Sequence, residues 1–265
     1  MKSFKIIFYI AAFAAFILLS GCESNDNPTK PVYKPSNPEK KVLLEFFTNA
    51  GCIPCIAAHN YLDGITALSG VTINDTNVII VSFHAKYPYN QDSIYRANIE
   101  QNDGRTNYYG VLFTPQGRLD GISTGQFSSS DWTAQLNVEL QQDVIIDIGL
   151  ERTFDPNTGS GTATAFVHPL TNVSTTDNVV HFIITENNVP YITAPNGITH
   201  PNDVMRFMIT GTSGETVSLT TGQTTEVVKT FTLNNSWNQD ECYITAFVQS
   251  TSTGEVYGVN RIKVK

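Results

Sequence analysis

Two regimes of apolar spacing divide the chain downstream of Lys40. Val42 to Thr48 and Val78 to Phe83 are near-continuous apolar runs of strand length, and each leads into a stretch with helical spacing, Cys52 to Leu68 and Asp92 to Gln101. Runs of that kind belong to strands covered on both faces, so the alternation predicts an α/β unit around a largely buried sheet. A further strand is predicted around Arg118 to Ile122. Ser130 to Gln141 predicts a helix, with Ser130 or Asp131 as its N-cap. After Asp143 the helical spacing stops. Short β patterns follow: Val144 to Leu150, Thr162 to Val167, Val179 to Thr185, Val204 to Thr210, Thr216 to Thr220, Glu226 to Leu233, Tyr243 to Gln249 and Val256 to Val264. Turn chemistry such as Asp155-Pro156-Asn157-Thr158-Gly159 and Pro195-Asn196-Gly197 separates them, which predicts a β-sandwich.

The N-terminus obeys different rules. Lys2 and Lys5 precede an apolar run from Ile6 to Leu19, a secretory signal whose apolar stretch is short for a membrane span. It ends in Leu19-Ser20-Gly21-Cys22, which resembles a bacterial lipobox. That resemblance implies a signal peptide over residues 1–21 and a diacylglyceryl group on Cys22; the competing reading is a plain signal peptide with an incidental cysteine. Several lipid chains on one residue anchor a protein firmly. Glu23 stands where lipoproteins retained at the inner membrane commonly have Asp, so the outer membrane is the expected address, at its periplasmic face or at the cell surface. Residues 22–39 hold Pro28, Pro31, Pro35 and Pro38 among polar residues and read as an extended tether. A formal net charge of −8 argues against nucleic acid as a partner.

Chemistry concentrates at Cys52-Ile53-Pro54-Cys55, where strand spacing hands over to helical spacing. A thiolate at a helix start is stabilised by unpaired backbone N–H groups, which can bring a thiol pKa from about 8.5 to ~3.5–7.5. The two-residue spacer lets Cys55 resolve a mixed disulfide formed at Cys52. The competing reading is a structural disulfide, ordinary outside the cytoplasm, although so small a loop constrains the unfolded chain little. Zinc would need two more ligands at workable spacing, and no metal is expected. Cys242, inside an apolar strand pattern, reads as a buried residue.

Residues 40–142 resemble the thioredoxin fold. The resemblance rests on Cys52-Ile53-Pro54-Cys55, on Val42-Leu43-Leu44-Glu45-Phe46-Phe47 before it, and on Val111-Leu112-Phe113-Thr114-Pro115. It implies that Glu45 lies near the place of the family's buried acid, where it would relay a proton beneath the cysteines; the competing reading is a strand carboxylate that faces solvent. It also implies a cis Pro115 whose loop, with Thr114, Ile53 and Pro54, holds a substrate backbone. Gly51 stands where thioredoxin has Trp, which puts specificity in doubt. His84 could join the cysteines on copper, as in copper-delivery relatives of that fold. Together with an immunoglobulin-like sandwich over residues 143–265, the chain looks like the outer membrane protein 28-related lipoproteins, to which Leu44-Glu45-Phe46-Phe47-Thr48 and His200-Pro201-Asn202-Asp203-Val204-Met205-Arg206 add.

The expected function is a membrane-tethered thiol-disulfide oxidoreductase without a cofactor. Cys52 attacks, Cys55 resolves, and the clients are envelope proteins bearing thiols or disulfides, with an unidentified redox partner. The alternative is an outer-membrane or surface binding or adhesion lipoprotein whose thioredoxin-like part is a non-catalytic scaffold. A buried Cys52 would favour the second, and an exposed one beside Pro115 the first.

Overall fold

The computed structural model describes residues 33–35, 38–65 and 77–265, and its first strand, β1 (Val42–Thr48), is buried along its whole length. Its two neighbours account for this. β2 (Val78–His84) runs parallel to it with Thr48 opposite His84, and β3 (Gln116–Leu119) runs antiparallel with Phe47 opposite Gln116. A parallel pair needs a crossover, and α1 (Cys55–Gly64) lies on that crossover. Leu68, the expected end of this helix, falls outside the described residues, as do Cys22, the signal segment and most of the tether.

Side chains alternate between the faces of a strand. Val42, Leu44 and Phe46 pack on Ala58 and Leu62 of α1 and on Trp132 and Leu136 of α4 (Ser129–Glu139). Leu43 and Phe47 face the other way, into a cluster with Ile79, Val81 and Phe83 of β2. The expected helix from Asp92 to Gln101 is two helices, α2 (Ser93–Ala97) and α3 (Ile99–Tyr108). Asn98 separates them with a non-helical backbone and caps α3 through its side chain. The N-cap of α4 is Ser128, not Ser130 or Asp131, because Ser128 is the last residue with extended backbone and its hydroxyl accepts from Asp131 N–H.

Beyond α4, β5 (Ile146–Asp155), β6 (Ser160–Pro169) and β10 (Thr225–Thr232) form a small antiparallel sheet ordered β10-β6-β5. The remaining strands are β4 (Ile122–Gln126), β7 (Asn178–Glu186), β8 (Val204–Met208), β9 (Glu215–Thr216), β11 (Cys242–Ser250) and β12 (Val256–Lys263). They join the first-half strands in one mixed sheet, ordered β12-β11-β7-β8-β2-β1-β3-β4 with β9 beside β7. The protein is therefore mostly β. Val180, Phe182 and Ile184 of β7 and Ile244, Ala246 and Val248 of β11 face the small sheet, so two layers pack there as a sandwich does. In one respect this differs from an α/β unit followed by a self-contained sandwich: the larger sheet does not stop at β8. β2 takes up the open side of β8 in parallel, with Ser82 opposite Val204 and Ser82 N–H donating to the Asp203 carbonyl at 2.7 Å.

The mixed sheet also curls until β12 returns to the first half. Val256 N–H donates to the Asp120 carbonyl at 2.9 Å, and Lys41 Nζ donates to Asn260 Oδ1 at 2.6 Å. The concave side holds Leu43 and Phe47 together with Ile183, Phe247 and Val259. Tyr33–Lys265 thus form one compact unit.

Candidate functional site

Asn49 to Pro54 carry the chain from β1 into α1. Cys52 N–H donates to the Asn49 carbonyl at 3.0 Å. The helix starts at Cys55 rather than Cys52, and Cys55 N–H donates to Cys52 Sγ at 3.2 Å. The sulfur therefore takes one of the N–H groups left unpaired at a helix start. Cys52 and Cys55 are joined in a disulfide, with their Cα atoms 5.3 Å apart. It is an interior bond: Cys52 is 1% exposed and Cys55 0%, whereas Ile53 between them is 62% exposed.

Two segments hold this turn from different sides. On the β2 side, Asn49 Nδ2 donates to the carbonyls of Ala85 at 2.7 Å and Tyr89 at 3.0 Å, and Ala50 N–H donates to Asp92 Oδ2 at 2.8 Å. Tyr89 lies so close to Gly51 that a β-carbon there would collide with it. Glycine at position 51 is thus a packing requirement. From the second half comes the connection between β7 and β8, folded as a hairpin by Val189 N–H to Pro201 O at 3.1 Å and Tyr191 N–H to Thr199 O at 2.7 Å. Near its tip, Asn196 N–H donates to Ala50 O at 2.8 Å and Asn196 Nδ2 to Asn49 O at 3.3 Å, while Cys52 O lies 3.5 Å from that nitrogen. Asn196 is only 8% exposed.

Buried titratable groups support the turn. His84 Nδ1 and Asp92 Oδ2 are 2.7 Å apart, and Asp92 Oδ1 accepts Ile94 N–H at the start of α2. Burial works to raise the Asp92 pKa, but the His84 charge and the N–H donors outweigh it and hold the carboxyl below its usual range. The Asp92 contact occupies His84 Nδ1, and Nε2 is buried without a hydrogen-bond partner among the described residues. Among the described residues no three His, Cys, Asp or Glu side chains gather as metal donors. His59, in contact with the Thr48 hydroxyl at 3.0 Å, is pushed down to about 3 by burial and by the nearby His84 charge.

Of the two readings of Glu45, a buried acid or a solvent-facing strand carboxylate, the structure has the buried one. Glu45 shares the strand face of Leu43 and Phe47, away from α1. Its carboxylate accepts both Nε, at 2.9 Å, and Nη2, at 2.7 Å to each oxygen, of Arg105, together with Tyr109 OH at 2.6 Å. Arg105 Nη1 continues to Gln249 Oε1 at 3.0 Å. A carboxylate so engaged pins α3 and β11 to β1.

The Thr114–Pro115 bond is cis, as is Tyr87–Pro88. Because Gln116 pairs with Phe47, Pro115 lies beside the end of β1 from which the cysteine turn departs. The Thr114 hydroxyl is buried without a hydrogen-bond partner among the described residues. Upstream, Leu112 is 86% exposed and Phe113 is exposed as well. With Tyr87 they border a cavity of about 410 Å³ that also takes in Lys86, Asp103 and Asn107. Ile53 and Pro54 are exposed on the cysteine turn, whereas Thr114 is half-buried and Cys52 and Cys55 are buried. Cys242 sits in the sandwich core, its thiol pushed up to about 12, chiefly by burial.

Neither Asn196 nor Asp92 is a candidate site residue on sequence grounds. Pro195-Asn196-Gly197 is legible as a turn, but nothing local to it tells where the turn lands.

These features define a mostly β protein with a mixed sheet, a smaller sheet packed on one end, and a buried disulfide at the first strand-to-helix junction. The family model for outer membrane protein Omp28 matches residues 102–265, and the chain belongs to this family. Membership gives the outer membrane as its location, in agreement with the N-terminal sequence. Both cysteines of the disulfide precede the matched region. A comparison with curated proteins finds no match. Among solved structures, HBP35 of Porphyromonas gingivalis is similar with a TM-score of 0.72 at 14% identity, over 87% of this chain and 77% of that one. A structural-genomics protein from Agrobacterium tumefaciens has a TM-score of 0.52 at 15% identity, over 87% and 97% of the two chains. A domain of the outer membrane lipoprotein Omp28 from Porphyromonas gingivalis matches over 47% of this chain and 91% of that one, with a TM-score of 0.34 at 20% identity. The first two likenesses are likenesses of fold.

Proposed function

We propose that the protein is an outer-membrane binding lipoprotein, anchored through a diacylglyceryl group on Cys22. In this reading the thioredoxin-like first half is a scaffold, the second half is an immunoglobulin-like sandwich, and Cys52–Cys55 is a structural bond. The carrying observation is the burial of Cys52 beneath a turn held from two sides. Disulfide exchange begins with a thiolate reaching a disulfide sulfur, so its rate depends on access. Here the neighbouring Ile53 is open to solvent while the sulfurs are not. A binding role finds support in Tyr87, Leu112 and Phe113, grouped and exposed around one cavity. Apolar side chains exposed together mark contact sites in a way that scattered ones do not. The partner is a component of the cell envelope.

Equilibration in thiol buffers of graded potential, scored by alkylation and mass, tests the reading. A couple that stays oxidised below about −300 mV and exchanges slowly is the expected result. A potential within roughly −270 to −120 mV with fast exchange would overturn it and restore the oxidoreductase.

A further inference from the structure

The hairpin between β7 and β8 is anchored at its base and reaches over the cysteine turn with its tip. At the base, Ser93 N–H at the start of α2 donates to Tyr191 OH at 3.1 Å, Asn202 Nδ2 donates to Asp63 Oδ1 of α1 at 3.1 Å, and Val189 packs with Ile94 and Val204. The tip is held differently. Its hold on the turn runs through Asn196, whose backbone and side-chain N–H groups reach carbonyls on Asn49 and Ala50. Asn196 is fixed in turn by its own Oδ1, which accepts Ile198 N–H at 3.1 Å. A few hydrogen bonds to backbone carbonyls are weak enough to be broken and remade, while the base keeps the segment in place. Ile192 stands exposed beside the tip, where something outside could grip it.

We propose that this hairpin is a strap that gates the disulfide. With Asn196 seated, the Cys52 sulfur is closed to attack; with the tip lifted, it opens. The chemistry gated is reduction by a dithiol. One reagent thiolate bonds to Cys52 Sγ, and the Cys52–Cys55 bond breaks with its electron pair going to Cys55, which takes up a proton. The second reagent thiolate then bonds to the first reagent sulfur and releases Cys52. Two electrons pass to the protein, and the reagent ends as its own disulfide. This inference goes beyond the binding reading, which needs only that the closed form exchange slowly.

The test uses the full chain in detergent, with dithiothreitol as reductant and alkylation followed by mass as readout. Replacing residues 192–198 by Asn-Gly keeps the Tyr191–Thr199 pairing and suits a two-residue hairpin turn, and it is expected to speed reduction by about tenfold or more, the worth of one to two hydrogen bonds. Asn196→Ala, which leaves the backbone donor, is expected to give a smaller rise of about threefold. Both variants reduced at the wild-type rate, with cooperative unfolding retained, would overturn the strap. If the trimmed chain does not fold, Asn196→Ala decides alone. Fast reduction of the wild type would instead overturn the binding reading, so the absolute rate and the ratio of rates judge the two separately.

Discussion

Glu45 and Arg105 carry opposite charges in the interior of the protein, each satisfied chiefly by the other. Removing one member leaves an uncompensated buried charge, which costs about 3–5 kcal/mol, whereas removing both can be nearly neutral. Glu45→Leu is therefore expected to lower the unfolding free energy in urea by about 3 kcal/mol or more, and the Glu45→Leu/Arg105→Met double variant to recover most of that. A Glu45→Leu protein of unchanged midpoint would mean that the pair does not join α3 to the sheet. His59 gives a pH dependence of definite sign. Its pKa falls from 6.5 to about 3 on folding, so the unfolded chain binds a proton that the folded one refuses. The stability linked to His59 is fully present above the unfolded value and is lost as pH falls toward the folded one, at about 1.4 kcal/mol per pH unit. His59→Gln cannot take up that proton. Its unfolding free energy, followed in urea from about pH 7 to about pH 4, is expected to fall with a slope shallower by roughly one proton. Equal slopes would mean that His59 titrates freely in the folded protein.

Turns between elements carry the next scale of constraint. Asp120 and Gly121 both adopt left-handed φ, 44° and 87°, in the two-residue turn between β3 and β4. The turn does more than reverse the chain, because a β-carbon on Gly121 would meet the carbonyl oxygen of Gly254, between β11 and β12. Gly121→Ala meets both an unfavourable φ and an immovable backbone, and is expected to cost about 1–3 kcal/mol, lowering Tm by several degrees. An unchanged Tm would mean that the two turns do not bear on each other. What could be read in the sequence follows from the range of the forces involved. β1 and β2 were legible because near-continuous apolar runs report two covered faces wherever those faces turn out to be. The cysteine turn was legible because its spacing is local. The break at Asn98 was not, since Asn98 competes with the helix through its own side chain. The partner of Glu45 lies 60 residues away, and the landing place of Asn196 still farther. Periodicity says that a face is buried, never by what.

At the scale of the molecule, two stretches that differ in composition of elements share one sheet and one concave core. β2 pairs with β8, Arg105 bridges β1 to β11, and Val256 closes onto Asp120. Each link spans the boundary between residues 40–142 and 143–265. Cutting there would strip cover from Ile183, Phe247 and Val259 and leave β8 with an open edge, a combination that promotes aggregation. The two halves are therefore expected to unfold together. The chain holds two tryptophans, Trp132 in the first half and Trp237 in the second, so Trp132→Phe and Trp237→Phe variants each leave one reporter. Within each variant, a fluorescence midpoint coincident with the loss of circular dichroism is the expected outcome. Fluorescence and circular dichroism transitions that separate within a variant would mean that the sheet pairing at β2–β8 is too slight to couple the halves, and that each carries its own core. The same coupling bears on function, because the strap over the disulfide grows from β7 and β8 while the turn it covers grows from β1. Only a chain whose halves keep a fixed register can place Asn196 on Ala50.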